Sequence, residues 1–501
     1  MTRTDDAMRS RWAITLLLLG VTIAAGLSVL AINRGPLVYF DTGSYVRQGN
    51  VVLSMVLPAA GEPDSAARET QKTRNAADDD QTAGGSRSIF YAVLVAGFWR
   101  VGWLAGLAWL QLGLVLMAVW LAMRMLGRAA PTTRSTAQMV CLPLLAASTT
   151  SLPFYVAYVM PDIFTPVMLI LVAAVVAAGH RMHVAEALGA LALGTFSVVL
   201  HPSHLGIAVL MVPLVVLAAA LRIGQGRWLA AGFAMCLAFF AIAERKAFEV
   251  AVETVTHKDV VYTPHITARL IVDGPGLAYL NDVCPAPDLA TCALHEALTW
   301  SDDPYRLTAS HIIFERSPRL GSFRLLPPED QQAIALEQRQ FFLRVLSAYP
   351  VATVTALGQN ALRQLGTHSV AMTIPNSATI RNAKKLSGLS EDQLAVLDKT
   401  TLKRSQTWID PLVGVHFAIY AVSAAIVAVL LLWPAQVAAP YRVFTLFLLI
   451  GIAVNALVCG GVSQPADRYG ARVMWLLPFA AALLVLVRNP RPRPRTPTED
   501  E

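Results

Sequence analysis

Long apolar runs recur along this chain, and they constrain its fold more than any single motif does. About 20 such residues in a helix cross the hydrocarbon core of a bilayer. Because lipid satisfies no open backbone, a chain with several of these runs must cross as helices. Ten segments can be drawn, at 12–32, 105–126, 137–157, 163–179, 184–200, 204–221, 228–244, 411–433, 442–460 and 472–488. Composition agrees: 55% of the 501 residues are hydrophobic and 15% are charged, where a soluble domain carries about 25% charged residues. The predicted fold class is an all-α polytopic membrane protein with about ten transmembrane helices. The first run follows a basic start, as a signal peptide would, but its length and the lack of a cleavage site predict a retained span. The formal net charge of +7 is explained by basic residues at span ends, which points to membrane topology and away from nucleic acid.

With the N-terminus inside, Arg3, Arg9 and Arg11 begin a series that continues in alternate loops. It runs through Arg124, Arg128 and Arg134, then Arg181, Arg222 and Arg227, Arg442, and Arg488, Arg491, Arg493 and Arg495 in the tail. This positive-inside pattern predicts a multi-pass protein of the plasma (inner) membrane with both termini cytoplasmic. It divides the chain into an N-terminal transmembrane module (1–244) with a long first outer loop (33–104), an extracytoplasmic block (245–410), C-terminal transmembrane helices (411–488) and a disordered tail (489–501). In the first outer loop, a polar stretch over 61–88 reads as a mobile lid. The following "SIFYAVLVAGFW" reads as an interfacial helix, anchored by Trp99 and Trp103. The 245–410 block has helical periodicity and predicts a mainly helical domain. Its "CPAPDLATC" suggests a disulfide between Cys284 and Cys292 if the block lies outside the cytosol.

Polar residues gather on the predicted outer face. Asp41 lies in "YFDTGSYVR" with Tyr45 and Arg47; its carboxylate can serve as a general base, hold a divalent cation or cap a helix. Asp162, in "YVMPDIF", is placed either to cap the next span or to act as a second active-site carboxylate. His201 and His204, in "HPSH", have a spacing that suits a metal, with no third ligand nearby, or form an interfacial polar pair. Arg468, Tyr469 and Arg472 stand in "GGVSQPADRYGAR". Arginine forks suit a phosphate; the alternative is an ion pair with Asp467 or another outer carboxylate. All four outer loops that frame the bundle carry such groups, while the inner loops carry ordinary anchors. That asymmetry predicts an outer-face site for an anionic, lipid-linked substrate.

The arrangement resembles the GT-C superfamily of membrane glycosyltransferases, which use sugars linked to polyprenyl phosphate or pyrophosphate. The matching parts are Asp41 near the start of a long first outer loop, the interfacial "SIFYAVLVAGFW", Asp162 in the second outer loop, and "DRYGARVMWLLPFAAALLVL" opening a late span. The chain has a single acidic residue where many relatives carry a pair, and "SRSIFY" where many carry a Lys/His-Pro-Pro-Tyr-like stretch, which leaves metal use and donor type open. The resemblance implies transfer of a hexosyl or pentosyl group from a polyprenyl-phosphate-linked donor, entering from lipid, to a lipid, glycan or protein acceptor. Asp41 would be the general base, with Asp162 as a second carboxylate. Arg468 or Arg472, with Arg47, would hold the phosphate, and Tyr45, His201, His204 and Tyr469 would contact substrate. Two other readings are a transporter or flippase for a lipid-linked saccharide and a non-catalytic envelope assembly protein that works through the 245–410 block.

Overall fold

The computed structural model describes residues 3–56, 83–84, 88–256, 260–376, 379, 401–403, 407–433 and 436–488. The tail at 489–501 and most of the polar stretch in the first outer loop lie outside them. The N-terminal half is built from α1 (Arg3–Gly26), α2 (Ser28–Asn33), α3 (Thr42–Val56), α4 (Ile89–Arg100), α5 (Gly106–Ala129), α6 (Thr136–Ser148), α7 (Leu152–Ala157), α8 (Phe164–Ala178), α9 (Val184–Val199), α10 (Pro202–Ala220) and α11 (Arg227–Thr256). After the 245–410 block come α18 (Ile409–Leu432), α19 (Ala439–Ala456), α20 (Asp467–Met474) and α21 (Leu476–Leu486). The protein is an all-α polytopic membrane protein. Among the described residues, strand pairing between named strands is confined to a two-residue parallel contact of Ala83–Gly84 with Val260–Val261.

Among the described residues, seven helical stretches are long and apolar enough to cross a membrane: Gly106–Ala129, Pro161–Arg181, Pro202–Ala220, Arg227–Ala251, Ile409–Leu432, Ala439–Ser463 and Asp467–Leu486. The other three expected spans correspond to the shorter apolar helices Trp12–Gly26, Thr136–Ser148 and Val184–Val199. The 137–157 segment is shortened by its own chemistry. The Thr149 and Thr150 hydroxyls donate back to the carbonyls of Ala146 (2.7 Å) and Ala147 (2.9 Å), which competes with helix continuation. The chain turns there before α7.

α8 forms the centre of the bundle. Every one of its residues is buried, as a helix apolar on all sides but for Thr165 requires, and α5, α9, α11 and α19 pack around it. α3 and α4 pair closely in the first outer loop. Gly49 permits this, because a Cβ there would sit 2.0 Å from the Ala92 carbonyl oxygen.

The 245–410 block contains α12 (His265–Asp273), α13 (Pro275–Val283), α14 (Thr291–Leu298), α15 (Ala309–Phe314), α16 (Pro328–Ala348) and α17 (Pro350–Gly366). Leu270, Leu280, Leu294, Ile312, Phe323 and Phe341 belong to a core of its own, separate from that of the bundle. A disulfide joins Cys284 and Cys292. α11 runs without a break from its apolar half into this block. α16 and α17 meet at 115°, and α17 then packs onto a π-helical turn, Leu457–Ser463, that ends α19. π-helical turns inside α-helices tend to mark functional sites, and this one borders the cluster described next.

Candidate active site

The first-loop motif is tied to the second loop through the backbone. Leu37 N donates to Ala157 O, and Val159 N donates to Leu37 O, both at 2.8 Å, forming an isolated parallel bridge. The Thr42 hydroxyl adds a bond to Val159 O at 3.3 Å. These bonds bring Asp41 and Asp162 to the same end of the bundle. Asp41 precedes α3, and its carbonyl accepts from Tyr45 N at 3.0 Å, so it stands at the helix's N-cap position by backbone geometry.

α20 supplies the cations. Arg468 and Arg472 are four residues apart and therefore share one helix face. That face turns onto Asp162, at the start of the central span. Arg468 Nε donates to Asp162 Oδ1 (3.1 Å) and Oδ2 (3.0 Å), and its Nη2 donates to Oδ2 at 2.8 Å. Arg472 Nη1 reaches Asp162 Oδ1 at 3.3 Å. Asp162 and Arg472 are fully buried, and Arg468 is 5% exposed.

Other buried groups hold the helix in place. Tyr155 Oη donates to Arg468 O, and Ser151 Oγ donates to Ala471 O at 2.6 Å. Gly470 is required on the outer side, because a Cβ there would lie 1.8 Å from the Thr367 carbonyl oxygen. The second arginine is braced further: its Nη2 donates to Asn455 Oδ1 (2.8 Å), Ser203 Oγ (3.2 Å) and Cys459 Sγ (3.1 Å).

Asp41 stands at the rim. It is 32% exposed, and its Oδ2 lies 3.8 Å from Arg468 Nη1. The Arg468 guanidinium also faces the rings of Tyr39 (4.8 Å), Tyr469 (5.4 Å) and Tyr158 (6.0 Å), which suits a weakly hydrated planar cation. The buried interior thus holds two guanidinium groups against one carboxylate, and the second carboxylate sits on the open side.

The remaining sequence candidates divide. His201 and His204 lie 5.4 Å apart, ring to ring, and adjoin the cluster through Ser203, which bonds both His201 Nδ1 and Arg472. His204 is buried, with Nδ1 on Ser197 O at 2.7 Å, and its Nε2 has no hydrogen-bond partner among the described residues. No group of three or more His, Cys, Asp or Glu is arranged to hold a metal among the described residues. Tyr469 lies against both arginines. Tyr45 is buried edge-on to Tyr91 at 5.0 Å, away from any open surface. Arg47 is exposed on α3, and no ion pair or hydrogen bond ties it to the cluster among the described residues. Asp467 accepts from Ser369 N at 3.3 Å and leaves Arg468 to Asp162.

Sequence reasoning gave no site role to Asn455, Ser203, Cys459, Tyr39 or Tyr158. Asn455 carried a signal, being a polar residue inside an apolar run. The tyrosines carried none, since aromatic residues at span ends are ordinary interface anchors.

No protein-family model matches the chain, and no curated protein matches it. Two solved structures are similar to it, both of ArnT from Cupriavidus metallidurans. The one bound to undecaprenyl phosphate is 13% identical, with 95% of this chain and 78% of that chain covered and a TM-score of 0.33. The apo structure is 12% identical, with 96% and 78% covered and the same TM-score of 0.33. A likeness of that strength carries no argument about this chain's activity, which is read from the cluster itself.

Proposed function

We propose that the protein is a membrane glycosyltransferase that moves a sugar from a polyprenyl-phosphate-linked donor to an acceptor at the outer face of the membrane. One observation carries the reading. A buried pair of arginines shares a single buried carboxylate, and Arg468 Nη1 lies 3.8 Å from the half-buried Asp41. In the buried interior the two guanidinium groups outnumber the one carboxylate, and Arg468, which borders Asp41, is placed to hold a phosphate that enters from lipid at that rim. The sequence resemblance to GT-C enzymes supports the same assignment.

In this reading the two carboxylates have different parts. Asp162, enclosed by its hydrogen bonds, positions the arginines. Asp41 takes the proton from the acceptor hydroxyl. The acceptor oxygen bonds the anomeric carbon as the bond from that carbon to the phosphate oxygen breaks. Polyprenyl phosphate leaves with the electron pair, and Arg468 stabilises the charge that develops on it. A single displacement of this kind inverts the anomeric centre. His204 Nε2, buried and unpartnered among the described residues, is available to a sugar or phosphate oxygen, since such atoms in a native fold call for a partner.

The test is transfer by the purified full-length protein in vesicles, using polyprenyl-phosphate hexoses and pentoses and following release of polyprenyl phosphate. Asp41→Asn is expected to lower turnover by roughly 10²–10⁴-fold without changing thermal stability. Full turnover in that variant removes the assigned base. Passage of the intact lipid-linked saccharide across the bilayer, with no bond cleaved, would identify a transporter.

A further inference from the structure

A second cluster of charge lies at the other end of the bundle. The central span starts at Asp162 and ends at Arg181, which puts the two ends roughly 25–30 Å apart. There Glu186, in the first turn of α9, accepts from Arg124 Nε at 2.8 Å and from Arg128 Nη1 at 3.0 Å. Arg128 Nε also donates to Arg181 O at 2.9 Å. Glu186 is 7% exposed, whereas the Arg124 and Arg128 side chains are 41% and 29% exposed. Arg124 and Arg128 of this end of α5 and Arg134 of its following loop all line one cavity of about 400 Å³. Arg134 is exposed and has no carboxylate partner among the described residues.

A second cavity of about 720 Å³ adjoins the first and shares Trp120 and Arg124 with it. It runs along α1, α5, α6 and α9 past Leu19, Met117, Leu121 and Val140. Gly113 and Gly189 line it and face open space: a Cβ on Gly113 would meet nothing within 4 Å, and one on Gly189 would first meet Leu121 at 3.9 Å. Trp120 is half-exposed between the two cavities with Arg124 over its ring at 4.8 Å, the position of an interfacial tryptophan. An apolar furrow, bordered at one end by His183 and Glu186, therefore adjoins a pocket lined by three arginines, with Glu186 as the one anion beside them.

We propose that this paired cavity binds one anionic phospholipid of the leaflet opposite the Asp162 site, with its phosphate among Arg124, Arg128 and Arg134 and an acyl chain in the furrow past Gly113. The furrow makes a lipid, and not free phosphate, the occupant that fits. The two uncompensated positive charges select an anionic headgroup over a zwitterionic one, as basic pockets between membrane helices do. The site is independent of the sugar-transfer reading and stands or falls without it.

Native mass spectrometry of the delipidated full-length protein tests this, with phosphatidylglycerol, phosphatidylcholine and inorganic phosphate as probes. Phosphatidylglycerol is expected to bind about 25-fold more tightly than phosphatidylcholine, at about fivefold for each uncompensated charge. Arg134→Gln should lower that preference about fivefold, weakening phosphatidylglycerol more than phosphatidylcholine. Gly113→Phe, which builds a ring into the open furrow, should weaken both lipids alike. Equal binding of the two lipids, an unchanged preference in Arg134→Gln or undiminished binding in Gly113→Phe would each overturn the proposal. So would displacement of phosphatidylglycerol by equimolar inorganic phosphate. Arg134 is exposed and Gly113 faces open space, so both variants should keep the parent's thermal stability.

Discussion

The two ends of the bundle carry the same charges in opposite settings. At one end Asp162 is held by Arg468 and Arg472, and all three side chains are 5% exposed or less. At the other, Glu186 is held by Arg124 and Arg128, whose side chains stay 41% and 29% exposed. The buried trio is surrounded by fixed dipoles: Asn455, Ser203 and Cys459 all receive hydrogen bonds from Arg472. Such a cluster survives desolvation only with this many partners. At the other end Glu186 is buried, but its two arginine partners keep water as a partner, and such half-exposed ion pairs gain little net stability. One end is thus a buried, fully hydrogen-bonded frame, and the other is a partly solvated basic surface.

That contrast can be broken experimentally. Asp162→Asn leaves two buried guanidinium groups without their carboxylate, and a loss of about 3–5 kcal/mol in unfolding free energy is expected, read from denaturant or thermal unfolding in detergent. A loss below about 1 kcal/mol, the range of exposed pairs, would mean that the buried trio is no more demanding than the exposed one. Gly470→Ala probes the frame without touching a charge. The new methyl would overlap the Thr367 carbonyl, so α20 must shift, at about 1–3 kcal/mol and with transfer activity falling as the arginines move off Asp162. Unchanged stability and activity would show that α20 has room to spare.

The smallest effect is expected at the exposed end. Glu186→Gln should change stability by about 1 kcal/mol or less, and that difference should shrink as salt is raised. A salt-independent loss as large as that of Asp162→Asn would erase the distinction between the two ends.

Much of the architecture was legible because apolar length is a one-dimensional property. The ten apolar segments all reappear as helices, although the 137–157 segment is divided where Thr149 and Thr150 bond back to their own helix. The i, i+4 spacing of Arg468 and Arg472 was visible in "DRYGAR", and with it the fact that both lie on one face. Their partner was not visible. Asp162 is 306 residues from Arg468, and an ion pair with an outer carboxylate was one of two readings that the motif left open. Tyr45 and Arg47 were read as substrate contacts beside Asp41 because they share its short motif. Helix α3 separates them, burying the tyrosine against Tyr91 and leaving the arginine exposed.

The sequence by itself determined that the chain folds as membrane helices, and where polar groups could collect, because the bilayer tests hydrophobic length directly. Only the tertiary structure decided which carboxylate is enclosed and which stands at the rim. Burial depends on how α8 and α20 pack, and on the Leu37–Tyr158 bridge that brings Asp41 beside them. Neither follows from local pattern, since a contact across 306 residues exists only once the helices between have been packed.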